Sequence, residues 1–196
     1  MGGSYGHVLA IGCSRDEVAE VVGNDPTYLA TFDDVIAIFS QAAVEDTMSR
    51  CIELSAQLDG DCVGFFVFDD DVLACVHCRS GDALAEVTVP TMAEYAGIDE
   101  DELALMAEMF DEDQPTAGST DDPVAFVTGL GRGDQQRAIA VLGTDFGGGD
   151  HVSATARHRE LLEALELPTS VAGWDYYAIE ADGQGFEGEA SLVRGT

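Results

Sequence analysis

The residues of this chain best suited to chemistry are few. Cys75-Val76-His77-Cys78 has the composition of a metal or redox motif. Side chains alternate along a strand, so Cys75 and Cys78 are expected on opposite faces, with Cys75 and His77 sharing one. A chelating Cys-x-x-Cys needs a turn, and no second pair completes four ligands. Cys13 lies between an expected strand and the capping residue of an expected helix. Backbone amides and the helix dipole there would lower a thiol pKa and make a nucleophile. His7 is six residues back, roughly 20 Å along an extended strand, and the Cys-x5-Arg spacing fails at Ala19.

Aspartate clusters suggest metal-dependent hydrolysis. Asp33-Asp34 precedes one expected strand, and Asp69-Asp70-Asp71 follows another. If those strands run parallel, the clusters lie at opposite ends of the sheet and share no ion. Asp69 and Asp71 remain candidate ligands beside Cys75 and His77, but their segment lacks the spacing of a calcium loop and reads as a solvated hairpin turn. Gly129-Leu130-Gly131-Arg132-Gly133-Asp134 follows a helical stretch and lacks the Lys-Ser or Lys-Thr of a phosphate loop. Arg157-His158-Arg159 fans around a helix and forms no single basic face. No cofactor is implied.

The elements that must position these residues read as α+β. Strands are expected over 5–12, 35–39, 62–68, 72–78 and 83–89. The short breaks at 69–71 and 80–82 make the last three an antiparallel meander over about 62–89. The strand at 35–39, a helix running on to about residue 58, and the strand at 62–68 are expected to form a right-handed parallel crossover, giving a mixed sheet. Ser14 and Glu17 have capping-box spacing for a helix over 14–23. The C-terminal half reads as helical and packed on the sheet. Helix starts fall at Thr91 and Asp99, and helices at 123–130, 135–142 and 156–167. A last strand is expected from Trp174 to Glu180, then a frayed tail or weak edge from Gly183. The whole, 1–196, reads as one domain with a sub-boundary at the acidic segment 111–122.

Charge restricts partners more than any motif restricts chemistry. The 196 residues hold no lysine, 8 arginines and 38 acidic residues, for a net charge of -30. Such a chain repels nucleic acid and anionic membranes. Three origins fit: a salt-screened surface in a halophile, where the Debye length falls to about 3 Å near 1 M; a GC-rich genome exchanging Lys for Arg; or a recognition surface for a basic protein. Apolar residues make up 46%, enough for a core. No run approaches the roughly 18 apolar residues of a membrane span. The N-terminus lacks the pattern of a signal peptide. Five cysteines, an odd number, fit reduced thiols in a cytoplasm.

Phe32-Asp33-Asp34-Val35, Phe66-Val67-Phe68-Asp69-Asp70-Asp71-Val72, and His158-Arg159 followed by Leu161, Leu165, Leu167-Pro168 and Gly173-Trp174-Asp175-Tyr176-Tyr177 resemble a loosely defined group of small acidic prokaryotic α/β proteins with no known activity. The resemblance implies a small mixed α/β fold. Some small acidic proteins of this appearance neutralise toxins. The sequence therefore points first to a non-catalytic cytoplasmic protein that binds or regulates a protein partner, basic in character. The alternatives are a thiol- or metal-dependent hydrolase using Cys13 or an aspartate cluster, and a nucleic-acid-mimicking inhibitor.

Overall fold

The computed structural model describes residues 4–23, 25–91, 94–95, 97, 122–143, 153–182 and 190–193. Strand β1 (Tyr5–Ile11) leads into helix α1 (Arg15–Val22) through Ser14. The Ser14 side chain accepts from the Glu17 amide, and the Glu17 carboxylate accepts from the Ser14 amide, closing the capping box. A hairpin follows, β2 (Thr27–Phe32) and β3 (Val35–Ser40), turning on Asp33 at φ 44°. Aspartate tolerates this left-handed conformation better than most residues. Strand β2 is not among the expected elements. Its β-branched and aromatic residues, Thr27, Tyr28, Thr31 and Phe32, carry the strand signal.

The expected helix after Ser40 is two helices, α2 (Gln41–Glu45) and α3 (Thr47–Ser55). Asp46 divides them because its carboxylate caps the second, accepting from the Ser49 amide at 2.9 Å. The meander is β4 (Asp61–Phe68), β5 (Val72–Arg79) and β6 (Asp82–Val89), antiparallel in sequence order as expected. After it come α4 (Pro123–Leu130), α5 (Gln135–Leu142), α6 (Ala154–Ala164), a short 3-10 turn (Thr169–Val171), α7 (Tyr176–Asp182) and β7 (Ala190–Val193). Asp122, Asp134 and Ser153 cap α4, α5 and α6.

The fold is α+β, built on a seven-stranded sheet ordered β6-β5-β4-β1-β3-β2-β7. Strands β3 and β4 run parallel, joined through α2 and α3, but β1 lies between them and is antiparallel to both. The expected parallel pairing is thus split, and every neighbouring pair among the described strands is antiparallel. The segment Trp174 to Glu180 is not a strand. Asp175 caps a helix there, its carboxylate accepting from the Ala178 amide at 2.7 Å, and local capping outweighs the β-preference of the aromatic residues. The edge strand of the tail is β7, paired with β2. The Asp99 helix start and the sub-boundary at 111–122, apart from Asp122, which caps α4, lie outside the described residues.

Both sheet faces are covered. Val18 and Val22 of α1, Ala43 of α2, and Cys51 and Leu54 of α3 pack on Val8, Ala10, Ile36, Ile38 and Val76. Phe126 and Val127 of α4, Val141 and Leu142 of α5, and Leu161 and Leu162 of α6 pack on the opposite face, over Leu9, Phe39, Phe65 and Val87. This explains the nearly unbroken apolar runs of β1 and β3, whose residues are buried on both sides.

Candidate functional site

The structure places the candidate residues apart. Val35 and Asp61 both lie beside Ile11 at one end of the sheet, whereas Val67 lies beside Tyr5 at the other. Asp33-Asp34 and Asp69-Asp70-Asp71 therefore sit at opposite ends, as expected. Asp69 and Asp70 take left-handed turn conformations. Asp70 fastens the hairpin to the start of α6, its carbonyl and carboxylate accepting from the Ala154 and Thr155 amides at 2.8 and 2.9 Å. Asp34 accepts a two-armed bond from Arg132, which holds its carboxyl below the usual range. Arg132 of the glycine-rich loop 129–134 thus engages a carboxylate of this chain.

Cys75 is buried beneath the C-terminal helices, and Cys78 beneath α1–α3. The two thiols face opposite ways. Cys51, Cys62 and Cys78 lie in the same cluster, together with Cys13. Burial pushes the Cys62 thiol up to about 12. Among the described residues no group of three or more His, Cys, Asp or Glu is arranged to hold a metal ion.

Cys13 does not have the activated environment its position suggested. Burial raises its pKa, and the negative charges of Glu17, Asp59 and Asp61 raise it further. The helix start does supply positive dipole, but the Glu17 carboxylate already accepts from the Ser14 amide, and the Ser14 hydroxyl oxygen from the Glu17 amide. The Cys13 Sγ is 3.9 Å from the carbonyl oxygen of Ile11, the last residue of β1.

His77 is bound at Nε2 to Asp61 at 2.6 Å, and Arg79 grips the same carboxylate at 2.8 and 2.7 Å. Burial pushes the Asp61 carboxyl up, but Arg79 and His77 outweigh it and hold it below its ordinary value. The buried Nδ1 of His77 faces α4. A Cβ on Gly129 would stand 3.1 Å from it, so glycine lets that helix end approach the imidazole. The pair ties the start of β4 to the end of β5, and no nucleophile hydrogen-bonds the imidazole among the described residues.

Two further histidines, read in the sequence only as a distant neighbour of Cys13 and as part of a basic cluster, meet in the core. His7 and His158 are fully buried, with ring centroids 5.3 Å apart. The Tyr5 hydroxyl is 2.8 Å from His158 Nδ1, and the Trp174 carbonyl accepts from His7 Nδ1 at 3.2 Å. Phe39 and Phe65 complete the surrounding aromatic wall. The sequence does carry signals of both. His7 alternates with Tyr5 and Leu9 along β1, and His158 stands at helical spacing from Ala154, Leu161 and Leu162. Arg157 is buried as well.

A surface opening lies elsewhere. Helix α3 covers the Cys62 end of the meander but not its Phe68 end. Between the α2–α3 junction and strands β4 and β5 is a half-open groove of about 230 Å³, with Met48, Gly64, Phe66 and Ala74 along it and Glu45 and Asp46 at its rim. Gly64 cannot be enlarged, since a Cβ would stand 2.8 Å from Val76 and 2.9 Å from Thr47. Two residues beyond Phe66, Phe68 is 44% exposed, and its ring meets the edge of Tyr95, itself 39% exposed, at 6.1 Å. Phe68 and Tyr95 thus form an adjoining pair of exposed aromatic rings next to the groove.

Comparison with known proteins returns no matching family model, no matching curated protein and no matching solved structure.

Proposed function

We propose that this protein is a non-catalytic binding protein of the cytoplasm, acting through protein contacts as a regulatory or immunity-type partner of a basic protein. The observation that carries the reading is the aromatic strip of Phe66, Phe68 and Tyr95, left open on the meander beside acidic residues. An apolar centre within a charged rim is the anatomy of a protein interface. Exposed aromatic rings supply contact energy at such centres. A surface shaped by solvent adaptation alone has no reason to keep them exposed. The candidate reactive groups support the same reading: Cys13 is held protonated by burial and neighbouring carboxylates, and His77 is occupied by Asp61.

The test is affinity capture from the source lysate at native salt, with wild-type protein and a Phe68→Ser/Tyr95→Ser variant side by side. The reading expects a basic protein retained by the wild type and lost by the variant, with both proteins equally folded. Equal retention by the variant, or no retained partner, overturns it.

A further inference from the structure

The groove beside the aromatic strip has a size and a charge pattern that specify an occupant. Its volume of about 230 Å³ falls below the roughly 300–1,000 Å³ of sites for drug-sized molecules. It suits one large side chain. Its long walls are apolar, from Met48, Phe66 and Ala74, and its rim beside α2 is acidic, from Glu45 and Asp46. Both carboxylates are exposed, and each already accepts locally, Glu45 from the Gln41 side chain and Asp46 from the amide and the hydroxyl of Ser49. They are thereby held in place at the mouth, with acceptor capacity left, since an ionised carboxylate offers about four lone-pair sites.

We infer that this groove is an anchor pocket for a cationic segment of a partner protein, taking one aliphatic or aromatic side chain between Met48, Phe66 and Ala74 while flanking Arg or Lys residues meet Glu45 and Asp46. The inference rests on the binding-protein reading and names the partner's chemistry. The apolar contact sets affinity, because it removes both surfaces from water. The flanking cations steer encounter and orientation, and two such exposed ion pairs together add about tenfold to affinity. An anionic flank is excluded by the same rim and by the net charge of -30.

The net charge also sets the main competing explanation: any cationic peptide is drawn to this protein. The experiment must separate the groove from the field. Isotope-labelled protein is titrated in about 0.1 M KCl, where the Debye length is about 10 Å, with three capped peptides centred on Arg-Leu-Arg, Arg-Ala-Arg and Gln-Leu-Gln. The expected result is saturable amide shifts at Met48, Gly64, Phe66 and Ala74 with the first peptide. Each of the others should bind about tenfold more weakly. Ala74→Trp fills the groove without changing charge and should abolish the saturable shifts; Met48→Arg, which sets a cation within it, is the second variant should the first not fold. In Glu45→Gln/Asp46→Asn, which keeps a capping side chain at residue 46, the Arg- and Gln-flanked peptides should converge to within about twofold.

Equal binding of the Arg-Ala-Arg peptide, undiminished binding to both groove variants, or no saturable shift overturns the inference. If it fails while lysate capture still depends on Phe68 and Tyr95, the binding reading stands without this anchor. If capture fails as well, both fall.

Discussion

His7 of the central strand and His158 of α6 stack with ring centroids 5.3 Å apart, both sealed from solvent, and join the C-terminal helical layer to the middle of the sheet. Each keeps its Nδ1 bonded, to Trp174 and Tyr5 respectively, and each leaves its Nε2 without a protein partner among the described residues. Two imidazoles this close cannot both be charged in a medium of low dielectric. Burial lowers the His7 pKa from its ordinary 6.5 to about 4, outweighing the Trp174 carbonyl bond that raises it. His158 is lowered well below 6.5 by burial, then by the charges of His7 and Arg159.

This makes the fold acid-labile in a defined window. The folded state holds both rings neutral, whereas the unfolded chain protonates them near pH 6.5. Stability is full above pH 6.5 and is lost as pH falls toward 4, by on the order of 3 kcal/mol for His7 alone. Urea unfolding at pH 7.5, 6, 5 and 4, in about 1 M KCl to screen carboxylate repulsion, measures it. His7→Phe, which fits the wall of Phe39 and Phe65, should halve the loss. An unchanged acid slope in that variant would show that the histidines do not set it.

Asp61 accepts from two donors of unequal worth. Arg79 is half exposed, while the His77 ring is buried. An exposed ion pair is worth about 0–1 kcal/mol, and a buried polar group left without its partner costs about 1–3 kcal/mol. Asp61→Ala should therefore destabilise by about 2 kcal/mol, and Arg79→Met by less than about 1. Chemical denaturation of both variants decides; equal losses would mean that the arginine, not the buried imidazole, is the partner that matters.

How far the sequence disclosed this arrangement depends on how local each signal is. The capping box at Ser14 and Glu17, the meander turns at 69–71 and 80–81, and the opposite facing of Cys75 and Cys78 all follow from spacing over a few residues. The position of β1 between β3 and β4 does not, because strand order is chosen by long-range packing. The aromatic residues of 174–180 prefer strands, but Asp175 supplies a cap that preference does not register. His7 and His158 are 151 residues apart, so their pairing was illegible even though each stood on an apolar face. The groove was hidden for the same reason: Met48, Phe66 and Ala74 meet only after α3 covers one end of the meander and stops.

The thiols offer a direct test of the non-catalytic reading. All five cysteines are buried. Burial raises Cys13, Cys51, Cys62 and Cys75 above the ordinary thiol range, and the thiolate is the reactive form. Labelling with Ellman's reagent at pH 8 should be slow in native protein and complete in denaturant. A single fast thiol, lost in Cys13→Ser, would restore the nucleophile that its place before α1 first suggested.

Salt should stabilise the fold as a whole. The charge of -30 is carried by carboxylates spread along the chain, and compaction brings them together. Among the described residues local compensations include Arg132 with Asp34, Arg79 with Asp61, Arg50 with Asp25 and Glu53, and Arg137 with Glu160 and Glu163. Salt weakens both kinds of interaction. Eight arginines against 38 acidic residues leave repulsion as the larger quantity, so screening must favour the folded state. The melting temperature should rise steeply between about 0.05 and 1 M KCl, where the Debye length shrinks from over 10 Å to about 3 Å, and then flatten once neighbouring carboxylates no longer sense one another. Matched sucrose separates screening from exclusion, since it strengthens burial without screening charge. A flat KCl series would mean that the folded surface spaces its carboxylates widely enough to need no salt, and the acidity would then be assigned to the binding face beside Glu45 and Asp46 rather than to solvent.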